Sequence, residues 1–133
     1  MAAPPPRGEL RPIAGARAPG LDKASAERLK RGRYPIEARL DLHGMTQDEA
    51  HRALIAFIAE AAAAGLRCVL VITGKGLRRL GEAEAAGDSG ILRQSVPRWL
   101  NEAPSRARIL AFSAARPQHG GGGALYILLR RQR

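Results

Sequence analysis

Cysteine is almost missing from this chain: Cys68 is the only one in 133 residues. A single thiol excludes a disulfide within the chain and any zinc site built from several cysteines. Cys68 stands in Arg-Cys-Val-Leu-Val-Ile, an apolar run of strand character, so an inert core thiol is expected there and not a nucleophile. Aromatic residues make up only 4% of the sequence, too few for base stacking to be the main means of recognising a ligand. Acidic residues are scarce as well: 12 Asp and Glu against 22 Lys and Arg, a formal charge of +10. Such a chain attracts polyanions with an affinity that falls steeply as salt rises, so phosphate contacts by Arg and Lys are expected to dominate. No apolar run approaches the roughly 18 residues that a membrane span needs. The first residues lack the apolar core of a signal peptide, and a cytoplasmic protein without a membrane partner is expected.

What is present falls into two parts. Residues 1–33 hold Pro4, Pro5, Pro6, Pro12 and Pro19 and no sustained periodicity, the composition of a flexible basic arm. Within it, Ser25 to Arg31 suits a short helix with Ser25 as N-cap and Gly32 as the stop, carrying the basic run Arg28, Lys30, Arg31 and Arg33. Residues 34–133 are expected to form one domain. Ile36 to His43 alternates as a strand, with Leu40 and Leu42 on one face and Asp41 and His43 on the other. Thr46-Gln-Asp-Glu49 is a capping box, and Ala50, Leu54, Phe57, Ile58 and Ala61 give the stripe of a helix packed on one side up to Gly65. Val69 to Ile72 reads as a central parallel strand.

Residues 77–90 read as a mobile loop, after which Asp88 or Ser89 caps a second helix carrying Ile91, Leu92, Val96, Trp99 and Leu100, kinked or split at Pro97. Arg108 to Ala114 and Ala124 to Leu129 complete the strands, with Gln118-His-Gly-Gly-Gly-Gly123 between them. The order β-α-β-α-β-β predicts a two-layer α/β sandwich with a four-stranded mixed sheet.

Asp41 and His43 lie at the carboxyl end of the first strand. A right-handed crossover through the capped helix delivers Thr73-Gly-Lys-Gly76 to the same edge, where α/β sheets bind ligands. If the third strand is also parallel, His119 and its glycines arrive there too. His43 is suited to proton transfer near neutral pH, with Asp41 to orient it. Lys75 would neutralise charge on a phosphate, helped by backbone N–H groups around Gly74 and Gly76, and His119 would be a second acid or base. A base, an acid and a cation suffice to cut RNA through its 2′-hydroxyl, so no cofactor is expected. Hydrogen bonding that merely fastens a loop is the competing reading of Asp41 and His43, and a non-catalytic binding module is the competing reading of the whole. Gly74-Lys75 is not a phosphate-binding P-loop, because that motif requires a glycine where Val69 stands. A metal site from Asp41, His43 and His119 lacks regular ligand spacing.

Leu40-Asp-Leu-His-Gly44 with Thr73-Gly-Lys-Gly76 resembles the two signature motifs of the Smr (small MutS-related) domain. Ile91-Leu-Arg, Val96-Pro-Arg-Trp-Leu100 and His119-Gly-Gly-Gly-Gly-Ala124 are similar to later segments of that family, and Tyr34-Pro-Ile-Glu-Ala-Arg39 to the lead-in of its stand-alone bacterial members. The resemblance covers residues 34–130. It implies a fold related to the C-terminal domain of translation initiation factor three. It also implies DNA- or RNA-directed nicking or cleavage, in some members on mRNA at stalled ribosomes. The expected site is therefore Asp41, His43, Lys75 and His119 for chemistry. Thr73, Gly74, Gly76, Arg78, Arg79, Gly120 and Gly121, with the basic residues of the arm, would bind nucleic acid. RNA is favoured over DNA, the ribosome is a candidate partner, and a monomer is expected.

Overall fold

Thr46 and Glu49 start the first long helix by local chemistry alone. In the computed structural model, which describes residues 22–74 and 83–130, the Thr46 hydroxyl accepts from the Glu49 N–H at 3.1 Å and the Glu49 carboxylate from the Thr46 N–H at 3.0 Å. The box satisfies two amide donors left over by the first turn, a contribution of about 1 kcal/mol. Helix α2 (Gln47–Ala63) then buries Ala50, Leu54, Ile58, Ala61 and Ala62, with Phe57 half-buried beside them.

The four strands are β1 (Arg39–Asp41), β2 (Cys68–Ile72), β3 (Ile109–Ala114) and β4 (Ala124–Leu129), in the spatial order β1-β2-β4-β3. β2 is parallel to β1, and β4 is antiparallel to both β2 and β3. β3 therefore runs in the same direction as β1 and β2, and the carboxyl ends of all three meet the start of β4 at one edge. β2 is covered on both faces: Val69 and Val71 point into one core, Cys68 and Leu70 into the other. That double burial explains its unbroken apolar run. The expected β-α-β-α-β-β order and mixed four-stranded sheet are both present.

The larger core lies under α2 and α3 (Ala83–Leu100), where Leu92, Val96, Trp99 and Leu100 are buried. A short α4 (Ser105–Arg108) leads into β3. The opposite face carries α1 (Lys23–Lys30), whose Leu29 is 2% exposed and packs with Cys68, Leu70, Tyr126 and Leu128. A boundary at Tyr34 would thus separate this helix from the sheet face it covers. Residues 1–21, with the five early prolines, lie outside the described residues.

Several local expectations are corrected. α1 is capped by Asp22, whose carboxylate accepts from the Ser25 N–H at 2.7 Å, so Ser25 lies inside the helix. β1 is only three residues long, although Leu42 beyond it is fully buried. Residues 83–90 are helical and not loop, and Asp88 and Ser89 lie within α3. α3 continues through Pro97 without a split. At the end of the helix the Asn101 side-chain amide donates to the Pro97 carbonyl at 3.0 Å, serving an acceptor that the last turn leaves over. The glycine-rich stretch forms two 3-10 turns, Pro117–His119 and Gly121–Gly123.

Candidate functional site

Asp41 ends β1 with its side chain exposed, and the chain then turns sharply through Gly44 at φ 84°, a conformation that side chains resist. One carboxylate oxygen of Asp41 accepts from the His43 backbone N–H at 3.0 Å and lies 2.9 Å from His43 Nδ1. An ionised carboxylate only accepts, so the proton sits on Nδ1 and the Nε2 lone pair is left for other work. The two side chains are 51% and 67% exposed, which leaves the imidazole open to a ligand.

The end of β2 is tied to the start of β4 through one carbonyl. Gly123 C=O accepts from the Thr73 N–H at 2.8 Å and the Gly74 N–H at 3.2 Å, and the Thr73 hydroxyl donates to it at 3.2 Å. Thr73 is 2% exposed, so its hydroxyl fastens this junction and does not face a ligand. Lys75, Gly76, Arg78 and Arg79 lie outside the described residues.

The third segment reaches the same edge, as its strand direction requires. Gly120 and Gly121 adopt φ 115° and 54°, and a Cβ on Gly120 would stand 2.9 Å from the Ala124 Cβ, so a side chain is excluded there. His119 is half-buried, with Nδ1 2.6 Å from the Tyr126 hydroxyl and its ring edge-on to the tyrosine. β2 separates β1 from β4, which puts their backbones roughly 10 Å apart. The Asp41–His43 pair and His119 share this edge, and among the described residues no group of three His, Cys, Asp or Glu side chains converges as a metal site would require.

Beside the glycine turn is an open cleft of about 390 Å³, lined by Arg93, Pro117 and Gly120 to Gly123. The Arg93 guanidinium lies against Gly122, where a Cβ would be only 3.3 Å from it. Arg93 stands in the Ile91-Leu-Arg segment but was not among the expected site residues. Only the rotation of α3 about its axis puts it over the glycines, and nothing local reports that rotation.

The basic residues of α1 are largely engaged. Arg28 stacks over Tyr34 at 5.1 Å and donates to its hydroxyl at 3.0 Å. Partial burial raises the Tyr34 phenol, but its contacts with Ser25 and Arg28 outweigh this and hold it below the ordinary 10.0. Lys30 and Arg31 both pair with Glu27, at 3.9 and 3.4 Å. Among the described residues, Arg33 has no side-chain partner. The chain's third histidine, His51, is stacked on Trp99 at 4.4 Å and lies 3.4 Å from Glu102, which accounts for it structurally.

A family model described as the Smr domain matches residues 40–130. The chain is 37% identical over 112 residues to the probable DNA endonuclease SmrA of Escherichia coli (strain K12), covering 84% of this chain and 55% of that protein. It is 39% identical over 109 residues to the ribosome rescue factor SmrB of Vibrio cholerae serotype O1 (strain M66-2), covering 82% and 50%. The chain thus spans about half the length of the curated relatives it matches. Among solved structures, YdaL, a stand-alone small MutS-related protein from Escherichia coli, superposes with a TM-score of 0.69 at 37% identity, over 86% of this chain and 81% of that one. The Smr domain of Thermus thermophilus MutS2 follows at 0.56 and 30% identity, over 70% and 98%.

Proposed function

The chain belongs to the Smr (small MutS-related) domain family, and from that premise we propose that it is a nucleic-acid-directed endonuclease that cuts RNA in preference to DNA. The Asp41–His43 contact at the carboxyl edge of the sheet supports this most directly. It leaves a solvent-facing imidazole with a free Nε2 lone pair, the arrangement a general base needs. In this reading His43 Nε2 takes the proton of an RNA 2′-hydroxyl. The 2′-oxygen forms a bond to phosphorus, the bond from phosphorus to the 5′-oxygen breaks, and that oxygen is protonated by solvent. Asp41 holds the ring and its tautomer. Lys75 and Arg93 supply positive charge, and Gly74, Gly76, Gly120 and Gly121 let the sugar–phosphate backbone approach closely. Arg78, Arg79 and Arg33 add positive charge for phosphate contacts, in keeping with the formal charge of +10.

The names of the relatives support the nucleic-acid direction, one being a probable DNA endonuclease and another a ribosome rescue factor. The ribosome is accordingly a proposed partner. The test is a cleavage assay on one labelled sequence prepared as RNA, as DNA, and as RNA with a single 2′-deoxy nucleotide, with and without EDTA. RNA is expected to be cut and the 2′-deoxy position spared. Equal cutting of DNA would overturn the 2′-hydroxyl mechanism. If no substrate is cut by a protein that binds it, the chain is a binding module.

A further inference from the structure

Tyr126 lies in the core beneath α1 and is 1% exposed, yet its hydroxyl is a polar junction. The Arg116 N–H donates to it at 3.2 Å, and His119 Nδ1 lies 2.6 Å away. Gly32, in the turn that ends α1, closes over the same oxygen: a Cβ there would stand 2.5 Å from it. The hydroxyl is thus sealed from solvent between the arm and the glycine turn.

That enclosure decides where the protons are. A backbone N–H can only donate, so Arg116 uses one lone pair of the tyrosine oxygen. The phenolic proton still needs an acceptor, and among the described residues His119 Nδ1 is the atom within reach. A proton on Nδ1 would leave the buried O–H without a partner, which costs its full desolvation.

The geometry points to Tyr126 as a positioning residue that fixes His119 in its Nε2–H tautomer, so that the imidazole offers a neutral N–H to a phosphoryl oxygen of bound nucleic acid. The inference rests on the endonuclease reading for its substrate, and it changes the expected role of His119 from acid or base to hydrogen-bond donor. The two histidines then carry opposite tautomers. Asp41 places the proton of His43 on Nδ1, and Tyr126 keeps that of His119 on Nε2. One ring presents a lone pair to the site and the other a donor.

Nitrogen NMR of the full chain above pH 8, where neutral imidazole dominates, reads the tautomer directly. His119 is expected with its proton on Nε2 and Nδ1 accepting a hydrogen bond; a proton on Nδ1 overturns the inference. Tyr126→Phe keeps the ring and removes the hydroxyl. It should shift the His119 nitrogen signals toward an averaged tautomer mixture and slow single-turnover RNA cleavage at saturating enzyme about tenfold, with the His43 signals unchanged. A Tyr126→Phe variant that cuts at the wild-type rate overturns the positioning role. Should the wild type cut neither RNA nor DNA, the endonuclease reading and the positioning role fall together, while the spectra still decide the Tyr126–His119 hydrogen bond.

Discussion

Removing His43 should abolish chemistry while leaving the fold almost untouched, and the exposure of the Asp41–His43 pair is the reason. With side chains 51% and 67% exposed, the pair is a surface contact worth up to about 1 kcal/mol, and the His43 N–H bond to the carboxylate, made by the backbone, survives the substitution. His43→Ala should therefore cost no more than about 1 kcal/mol in urea denaturation. Loss of a general base removes on the order of 10²–10⁴ in rate, or about 2.7–5.4 kcal/mol of barrier lowering. Asp41→Asn keeps a neutral acceptor for the His43 N–H and loses the charge, so a drop of about tenfold is expected. Because the two act as one unit, the double variant should be no slower than His43→Ala alone. The assay is single-turnover cleavage of labelled RNA at saturating enzyme, with binding followed by fluorescence anisotropy. A well-folded His43→Ala protein that cuts within about threefold of wild type would refute the assignment of the base. A fully multiplicative double variant would refute the coupling.

Leu29→Ala should cost about 2–4 kcal/mol by chemical denaturation, because Leu29 is 2% exposed in the core beneath α1; no measurable change would mean that α1 does not unfold with the sheet. A chain beginning at Tyr34 is still expected to fold and cut short substrates, but to melt lower and to bind long RNA less tightly. Arg93→Gln should weaken RNA binding and flatten the slope of log affinity against log salt by about 0.7–0.9, the share of one phosphate; an unchanged slope would remove Arg93 from the interface. Burial pushes the Cys68 thiol from its ordinary 9.0 up to about 12, so the folded state keeps this proton where the unfolded chain loses it. The resulting penalty is nil below about pH 9 and grows toward pH 12 at up to about 1.4 kcal/mol per pH unit. Cys68→Ala should remove that slope, as seen by comparing urea midpoints of the two proteins across this range.

The parts of the fold that were legible in the sequence are those whose causes are local. Thr46 and Glu49 cap each other across one turn, and the doubly buried β2 needs an apolar residue at every position. Asp41 and His43 were legible as a pair from their i, i+2 spacing, although β1 ends at Asp41 and the turn beyond it, not a shared strand face, brings them together. The start of α3 was hidden by Gly81, Gly87 and Gly90, residues that argue against a helix, whereas packing of its later turns on α2 favours one. Docking of α1 rests on a single fully buried side chain, Leu29, too little to make a stripe. The role of Tyr126 was invisible because its neighbours in sequence are apolar and its partners, Gly32, Arg116 and His119, come from other segments.

The antiparallel run of β4 has a practical consequence for handling the protein. β4 begins beside Ile72 at the candidate site and ends at the far rim, where the Leu129 N–H donates to the Arg67 carbonyl and the Arg130 N–H to the Arg108 carbonyl, both at 2.8 Å. A dye, a surface linker or a fused partner attached after Arg130 therefore departs from the side opposite His43. Single-molecule cleavage can be watched on protein anchored by that end, with the reactive edge facing the solution.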